Sequence, residues 1–429
     1  RRMKTPWELL KESKTKIKTT WRIAFVSALV LGLLIHLPVM LSDIPNHDGL
    51  SSMYFNQNMI TSGRWFLTVA CGFSSYFTIP WVIGLIGLIW LALTAAVLTE
   101  VLELTDPVTI TVVSGLLVSF PALASTFAYV FTMDGYMLAL FLAVLAVLFT
   151  AKYPRGYLAG AVCLAFSMGI YQAYLPFTIL LCVYKILLYF MEEKGWKEKA
   201  KYVCHYLGMG IAGGVLYYVI LQILLKLQGK VLDTYQGINS MEQMGSGMGI
   251  LATIKEMYVD FLAFTVHGNV LVNNIFSLAA CIILVATVVF LVIRSMIWRK
   301  WWKNPAFFVI MILLGISMPL LTNVILLISP NLTYHLLMRY QWVLYLILMT
   351  AFADRYTAEE SRTDVVLQWA ALCAAVVLVF DYGISDNIGY SNLEKKYEKT
   401  YAYCVRLLDR IEQTPGYYQG IPIALVGVI

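Results

Sequence analysis

Three aspartates stand out because each lies in a short polar stretch between long apolar blocks. Asp43 and Asp48 belong to the run SDIPNHDGLSSMYFNQNMITSGRWF, and Asp134 to FTMDGY. A carboxylate at a membrane-proximal surface can take a proton from an incoming hydroxyl, the more so where partial burial lifts its pKa towards neutrality. Asp48 follows His47, so the same residues also read as an Asn-His-Asp-Gly turn in solvent. Asp134 lies almost against hydrocarbon, where a carboxylate is costly unless it is paired or faces a wet cavity; otherwise it caps the helix that follows. Arg64, in SGRWF, carries a planar fork that pairs with phosphate, or it reaches to the headgroups along its aliphatic stem.

GIYQAYLP places Tyr171, Gln172 and Tyr174 ahead of Pro176. Polar and aromatic groups there could line a sugar pocket, or form an aromatic belt with an interhelical hydrogen bond. His267, Asn269, Arg339 and Tyr340 are candidates of the same kind, each read first as structural. Other chemistries find no footing: there is no Ser-His-Asp order, no HExxH and no Walker motif, which disfavours zinc hydrolysis and ATP-driven transport. The stretch QMGSGMG at 243–249 lacks the lysine-serine ending of a phosphate loop and reads as a mobile outer loop. Seven cysteines show no CxxC spacing and read mostly as small core hydrophobes. No cofactor is assigned, and no ligand cluster supports a divalent cation.

The elements that must position these residues are set by composition. Of 429 residues, 60% are hydrophobic and 13% charged, with a mean hydropathy of +0.74, far from a soluble domain. The apolar excess falls in blocks at 23–41, 81–99, 108–131, 136–151, 157–172, 174–191, 206–228, 275–297, 305–328, 336–353 and 365–382. A helix needs roughly 20 apolar residues to cross a bilayer core, so an all-α polytopic membrane protein with about eleven transmembrane helices is expected. Lysine and arginine crowd one set of connecting segments, while Arg64, Lys230, Lys255 and Arg339 are alone in the other set. By the positive-inside rule this puts the N-terminus inside and the C-terminus outside.

The expected organisation is a cytoplasmic basic N-terminus at 1–22, a transmembrane catalytic bundle at 23–382 with long outer loops at 42–80 and 229–274, and an outer C-terminal segment at 383–429. In that tail, 393–411 reads as an amphipathic helix. IPIALVGVI then reads as a strand that cannot bury itself alone, so the chain is expected to continue beyond Ile429. The net charge of +6 lies next to the spans, where membrane lipids account for it and nucleic acid is not implied.

Taken in order, the first loop with its Asp and GlyArgTrp, the FTMDGY loop and GIYQAY resemble the bacterial membrane glucosyltransferases of the O-antigen-modifying type. These belong to the broad GT-C class that uses polyprenyl-phosphate sugars. The resemblance covers most of the chain and implies a GT-C-like bundle in the bacterial inner membrane. It implies that a hexose, glucose foremost, passes from a polyprenyl-phosphate donor to a surface polysaccharide on the outer face, with inversion. It also implies Asp48 as base, Asp134 as a second carboxylate and Arg64 at the GlyArgTrp position, while Asp43, at the mouth of the first span, stays a further candidate carboxylate from its place alone. His47, Tyr171, Gln172 and Arg339 are the expected substrate-binding residues. Where relatives carry two adjacent acids this chain has His47-Asp48, which argues against a carboxylate pair or a bound metal at that point.

Two other classes compete. A transporter or flippase for lipid-linked sugars would place ionisable groups at the bilayer midplane, where the spans offer little beyond Lys185 and His36. A membrane acyltransferase would need a histidine deep in the bundle, and His36 is the sole candidate.

Overall fold

The computed structural model describes residues 4–42, 44, 48–49, 56–72, 78–192, 194–233, 249–300, 303, 305–329, 332–357 and 361–424. Asp43, His47 and the glycine-rich stretch 243–248 lie outside the described residues. Among the described residues the chain is an all-α polytopic membrane protein. Its main helices are α1 (Pro6–Lys16), α2 (Thr19–Leu41), α3 (Pro80–Leu102), α4 (Pro107–Ser119), α5 (Pro121–Phe127), α6 (Met133–Lys152), α7 (Gly156–Ile170), α8 (Leu175–Met191), α9 (Trp196–Gln228), α10 (Ile250–Leu262), α11 (Ile275–Trp298), α12 (Pro305–Thr322), α13 (Val343–Tyr356) and α14 (Arg362–Glu412).

Local signals set many of the boundaries. Proline opens α3, α4 and α5, where its missing N–H would have had no intrahelical partner. The Asp106 side chain caps α4 by accepting the Thr109 N–H at 2.7 Å, and Asn274 and Ser277 form a reciprocal capping box on α11.

Every apolar block of the sequence lies on a helix, yet the expectation of about eleven spans is not reproduced as a count. Among the described residues, eight helices, some including an adjoining turn, are long and apolar enough to cross a membrane, or nine if the bent pair α4–α5 is one span. Helix α7 has 15 residues, about 22 Å at 1.5 Å per residue, short of a hydrocarbon core of about 30 Å. The tail also differs from expectation: residues 393–411 are not a separate helix but the continuation of α14, which runs unbroken for 51 residues.

The α4–α5 bend is 49°, and its cause is Pro121, which has no N–H to offer the Leu117 carbonyl. In a membrane interior a carbonyl so freed must find another donor. The Tyr340 hydroxyl donates to the Leu117 oxygen, and His36 Nε2 donates to the Val118 oxygen at 2.7 Å. With its proton on Nε2, His36 accepts the Tyr390 hydroxyl on Nδ1 at 2.7 Å and stacks on Phe127. His36 is thus a structural brace that ties α2 and α14 to the broken helix. Lys185 likewise has a local explanation, since it reaches Glu103 at 2.7 Å at the end of the bundle. Cys71 and Cys182 are buried, whereas Cys204, Cys373 and Cys404 are exposed.

Candidate active site

The residues 56–72 form a compact hook. Thr61 and Ser62 lie in a single 3-10 turn, Gly63 follows at φ 77°, and the chain doubles back so that Arg64 N–H donates to the Met59 oxygen at 3.1 Å. Only a residue tolerant of the left-handed region closes such a turn without strain, which is why glycine precedes the arginine.

Four other segments clamp the hook. Phe66 N–H donates to the Gly169 oxygen at 2.7 Å, and the Trp65 indole lies so close to Gly169 that an added Cβ would meet it at 2.5 Å. Gln172 Nε2 donates to the Ser62 oxygen at 3.2 Å and to the Tyr217 hydroxyl at 3.0 Å. Tyr217 in turn donates to the Gly63 oxygen at 3.0 Å, while Asp233 N–H donates to the Thr61 oxygen at 2.8 Å. The end of α7, the turn before α8, the body of α9 and the residues just past it therefore fix where Arg64 stands.

The hook forms one wall of a cavity of about 480 Å³, a size suited to a small ligand. Asp48, Gln57, Ser62, Arg64, Tyr136, Tyr171 and Gln172 are among the polar residues that line it. Ile325, Ile328, Leu332, Leu337 and Met338 line it too, as do Ser329 and His335 from the same stretch of chain. The two rings Tyr136 and Tyr171 stack face to face at 4.0 Å. Arg64 is tied to both: Nη1 donates to the Tyr136 hydroxyl at 3.1 Å, and the guanidinium lies 5.2 Å over the Tyr171 ring. The lining thus brings a fixed cation, a carboxylate and apolar side chains together on one cavity.

Of the residues singled out in the sequence, Asp48, Arg64, Tyr171 and Gln172 meet on this cavity. Asp134 does not line it; this carboxylate is buried in the first turn of α6, accepts the Gly135 N–H at 2.9 Å, and lies where the helix dipole favours an anion. Arg339 also stands off the wall. Its fork is engaged by Asp260, with contacts of 2.8 Å and 2.7 Å, and lies 3.8 Å over Tyr334, bracing α10 against the segment before α13. Tyr174 is fully buried behind Tyr171.

Gln57, Tyr136 and His335 line the cavity without having been singled out. Tyr136 closes the FTMDGY run and Gln57 lies in the first loop, so their neighbourhood was visible although their roles were not.

At the opposite end of the bundle the charges pair among themselves. Lys18 and Lys152 meet Glu100, and Lys185 and Arg355 meet Glu103. Burial opposes ionisation of Glu103, but hydrogen bonds and charge from Lys185 and Arg355 outweigh it and hold the carboxyl below its usual range.

A sequence model of the family described as Glucosyl transferase GtrII matches residues 37–353, more than half of the chain. No curated protein and no solved structure matches it. The matched stretch contains the hook, the residues lining the cavity, the last turn of α2, all of α3 to α12 and most of α13.

Proposed function

The chain belongs to the glucosyl transferase GtrII family, the O-antigen-modifying glucosyltransferases, and on that premise we propose that it transfers a hexose, glucose foremost, from a polyprenyl-phosphate donor to a hydroxyl of a cell-surface polysaccharide on the outer face of the bacterial inner membrane. The observation that carries this reading is the cavity lined by both Asp48 and Arg64 together with apolar residues such as Ile325, Ile328 and Leu332. Nucleotide sugars are made in the cytoplasm and do not cross the membrane, so an outer-face enzyme requires a sugar already carried over on a lipid. The basic segments at the far end of the bundle support that orientation.

In the proposed reaction the Asp48 carboxylate accepts the proton of the acceptor hydroxyl. The acceptor oxygen attacks the anomeric carbon from the face opposite the leaving group. The bond from that carbon to the phosphate oxygen breaks, and polyprenyl phosphate departs with the electron pair. Configuration inverts in this single displacement. Arg64, held by Tyr136 and Tyr171, meets the phosphate whose charge grows as the bond breaks. Asp134 and Arg339 act through the framework of α6 and α10.

Purified protein offered either polyprenyl-phosphate hexose or the matching nucleotide sugar, with an isolated surface glycan as acceptor, should consume the first and ignore the second. Robust transfer from the nucleotide sugar would refute the donor assignment. Movement of the lipid-linked sugar across vesicles without transfer would favour a flippase.

A further inference from the structure

Two glutamines on the cavity wall differ in their hydrogen bonding. Gln172 Nε2 donates both to Ser62 and to Tyr217, so its amide holds the hook in place. Gln57 is 3% exposed, and its Nε2 has no hydrogen-bond partner. Its backbone is nonetheless pinned, because the Gln57 carbonyl accepts the Thr68 hydroxyl at 2.9 Å and the Met59 N–H at 3.0 Å. Thr68 lies just beyond Arg64 on the same hook. A rigid backbone thus carries a buried amide whose donors are unmet, an arrangement that is costly to keep.

We propose that Gln57 is a specificity-determining residue, its side-chain amide donating to one ring hydroxyl of the hexose in the cavity. The inference rests on the glycosyl-transfer reading above and deepens it. The terminal torsion of glutamine is broad, so the amide swings towards the cavity without disturbing the pinned backbone. A hexose is the ligand chemistry that fits: it presents hydroxyl acceptors at its rim, and its C–H faces pack on aromatic rings such as the stacked Tyr136 and Tyr171. The amide then gains on binding the hydrogen bond that the empty site lacks. A site built to satisfy a substrate hydroxyl rejects the analogue without it, because the protein group is then left unpaired again.

The test uses the full chain in detergent with polyprenyl-phosphate hexose and its monodeoxy series, and compares wild type with Gln57→Met and with Gln57→Glu, which keeps the shape and removes the amide donors. Wild type should discriminate against one monodeoxy donor by about 10- to 100-fold in kcat/KM. Both variants should lose that discrimination, and Gln57→Met should melt no lower than wild type, since it removes an unmet amide. Equal use of every monodeoxy donor by wild type, or discrimination that persists in both variants, overturns the proposal. A parallel series separates it from the function reading: binding of octyl glucoside and its monodeoxy analogues, measured calorimetrically. If wild type does not consume the lipid-linked hexose, the donor reading fails, and the Gln57 inference is decided by whether Gln57→Met abolishes the hydroxyl preference in octyl glucoside binding.

Discussion

Arg64 Nη1 and the Tyr136 hydroxyl are 3.1 Å apart, a contact between the hook of the first loop and the start of α6. This bond, with the Tyr171 ring under the guanidinium, presets the cation's direction before any ligand arrives. If Arg64 meets the donor phosphate, its deletion removes a charge-assisted contact of about 1.5–3 kcal/mol. Arg64→Ala should therefore lower donor kcat/KM by about 10- to 150-fold and leave the acceptor KM nearly unchanged. Tyr136→Phe keeps the stack and loses only the hydroxyl, so its loss should stay within about tenfold. Initial-rate kinetics with each substrate varied in turn would show the split.

Gln172 and Tyr217 hold the hook by its carbonyls. Gln172→Leu leaves the Ser62 oxygen without this donor in a buried site, at a cost of about 1–3 kcal/mol, and takes one of two hydrogen bonds from the Tyr217 hydroxyl, which keeps its bond to Gly63. The variant should melt lower and lose kcat through a misplaced Arg64, while Tyr217→Phe should show a milder form of both. A Gln172→Leu protein with normal kcat would detach the hook's geometry from catalysis.

The proline break makes a separate prediction about stability alone. Tyr340→Phe leaves the Leu117 carbonyl without its donor inside the bundle and should destabilise by about 1–3 kcal/mol. Donor and acceptor KM should stay at wild-type values in protein that remains folded, because neither residue lines the cavity. Thermal unfolding in detergent alongside kinetics would separate the two effects.

The bundle's extent was legible in the sequence because apolar blocks of bilayer length have one physical outcome, a buried or lipid-facing helix. The full-length spans were harder to count, since α7 is short and α4 and α5 share a bend at Pro121. Asp48, Arg64, Tyr171 and Gln172 could be nominated from residue type and position near the mouths of apolar blocks. Their convergence could not be derived from spacing alone, as Arg64 and Tyr136 are 72 residues apart and only tertiary packing joins them. The same limit hid the pairing of Asp260 with Arg339, which lie 79 residues apart. The continuation of α14 through residues 393–411 was hidden because its sequence changes from apolar to charged while the backbone does not change direction.

Acid stability should depend on Glu103. Its carboxyl is held below the usual glutamate value of 4.5 in the folded chain, so it contributes stability that is present above that value and is lost as pH falls through the lowered one. Glu103→Gln removes this contribution. Melting temperature followed from about pH 6 down to about pH 3 should fall less steeply in the variant than in wild type; parallel curves would show that the pair with Lys185 and Arg355 is not coupled to folding.

Orientation is open to direct labelling. Lys230 lies near the cavity end and Lys197 at the far end, and both are exposed. Because Cys204, Cys373 and Cys404 are also exposed, the experiment belongs in a cysteine-free background. A cysteine at Lys230 should react with an impermeant thiol reagent in intact cells and one at Lys197 should not; the reverse pattern would place the cavity on the cytoplasmic side and remove the need for a lipid-borne donor.

The most direct measurement of the central claim is single-turnover transfer by Asp48→Asn with polyprenyl-phosphate hexose already bound. Loss of a general base costs about 10²–10⁴-fold in the chemical step, so transfer should fall by that factor while the donor dissociation constant stays close to wild type. Near-wild-type transfer by Asp48→Asn would contradict the account and move the base to another carboxylate, with Asp134→Asn and Asp43→Asn as the variants that would then identify it.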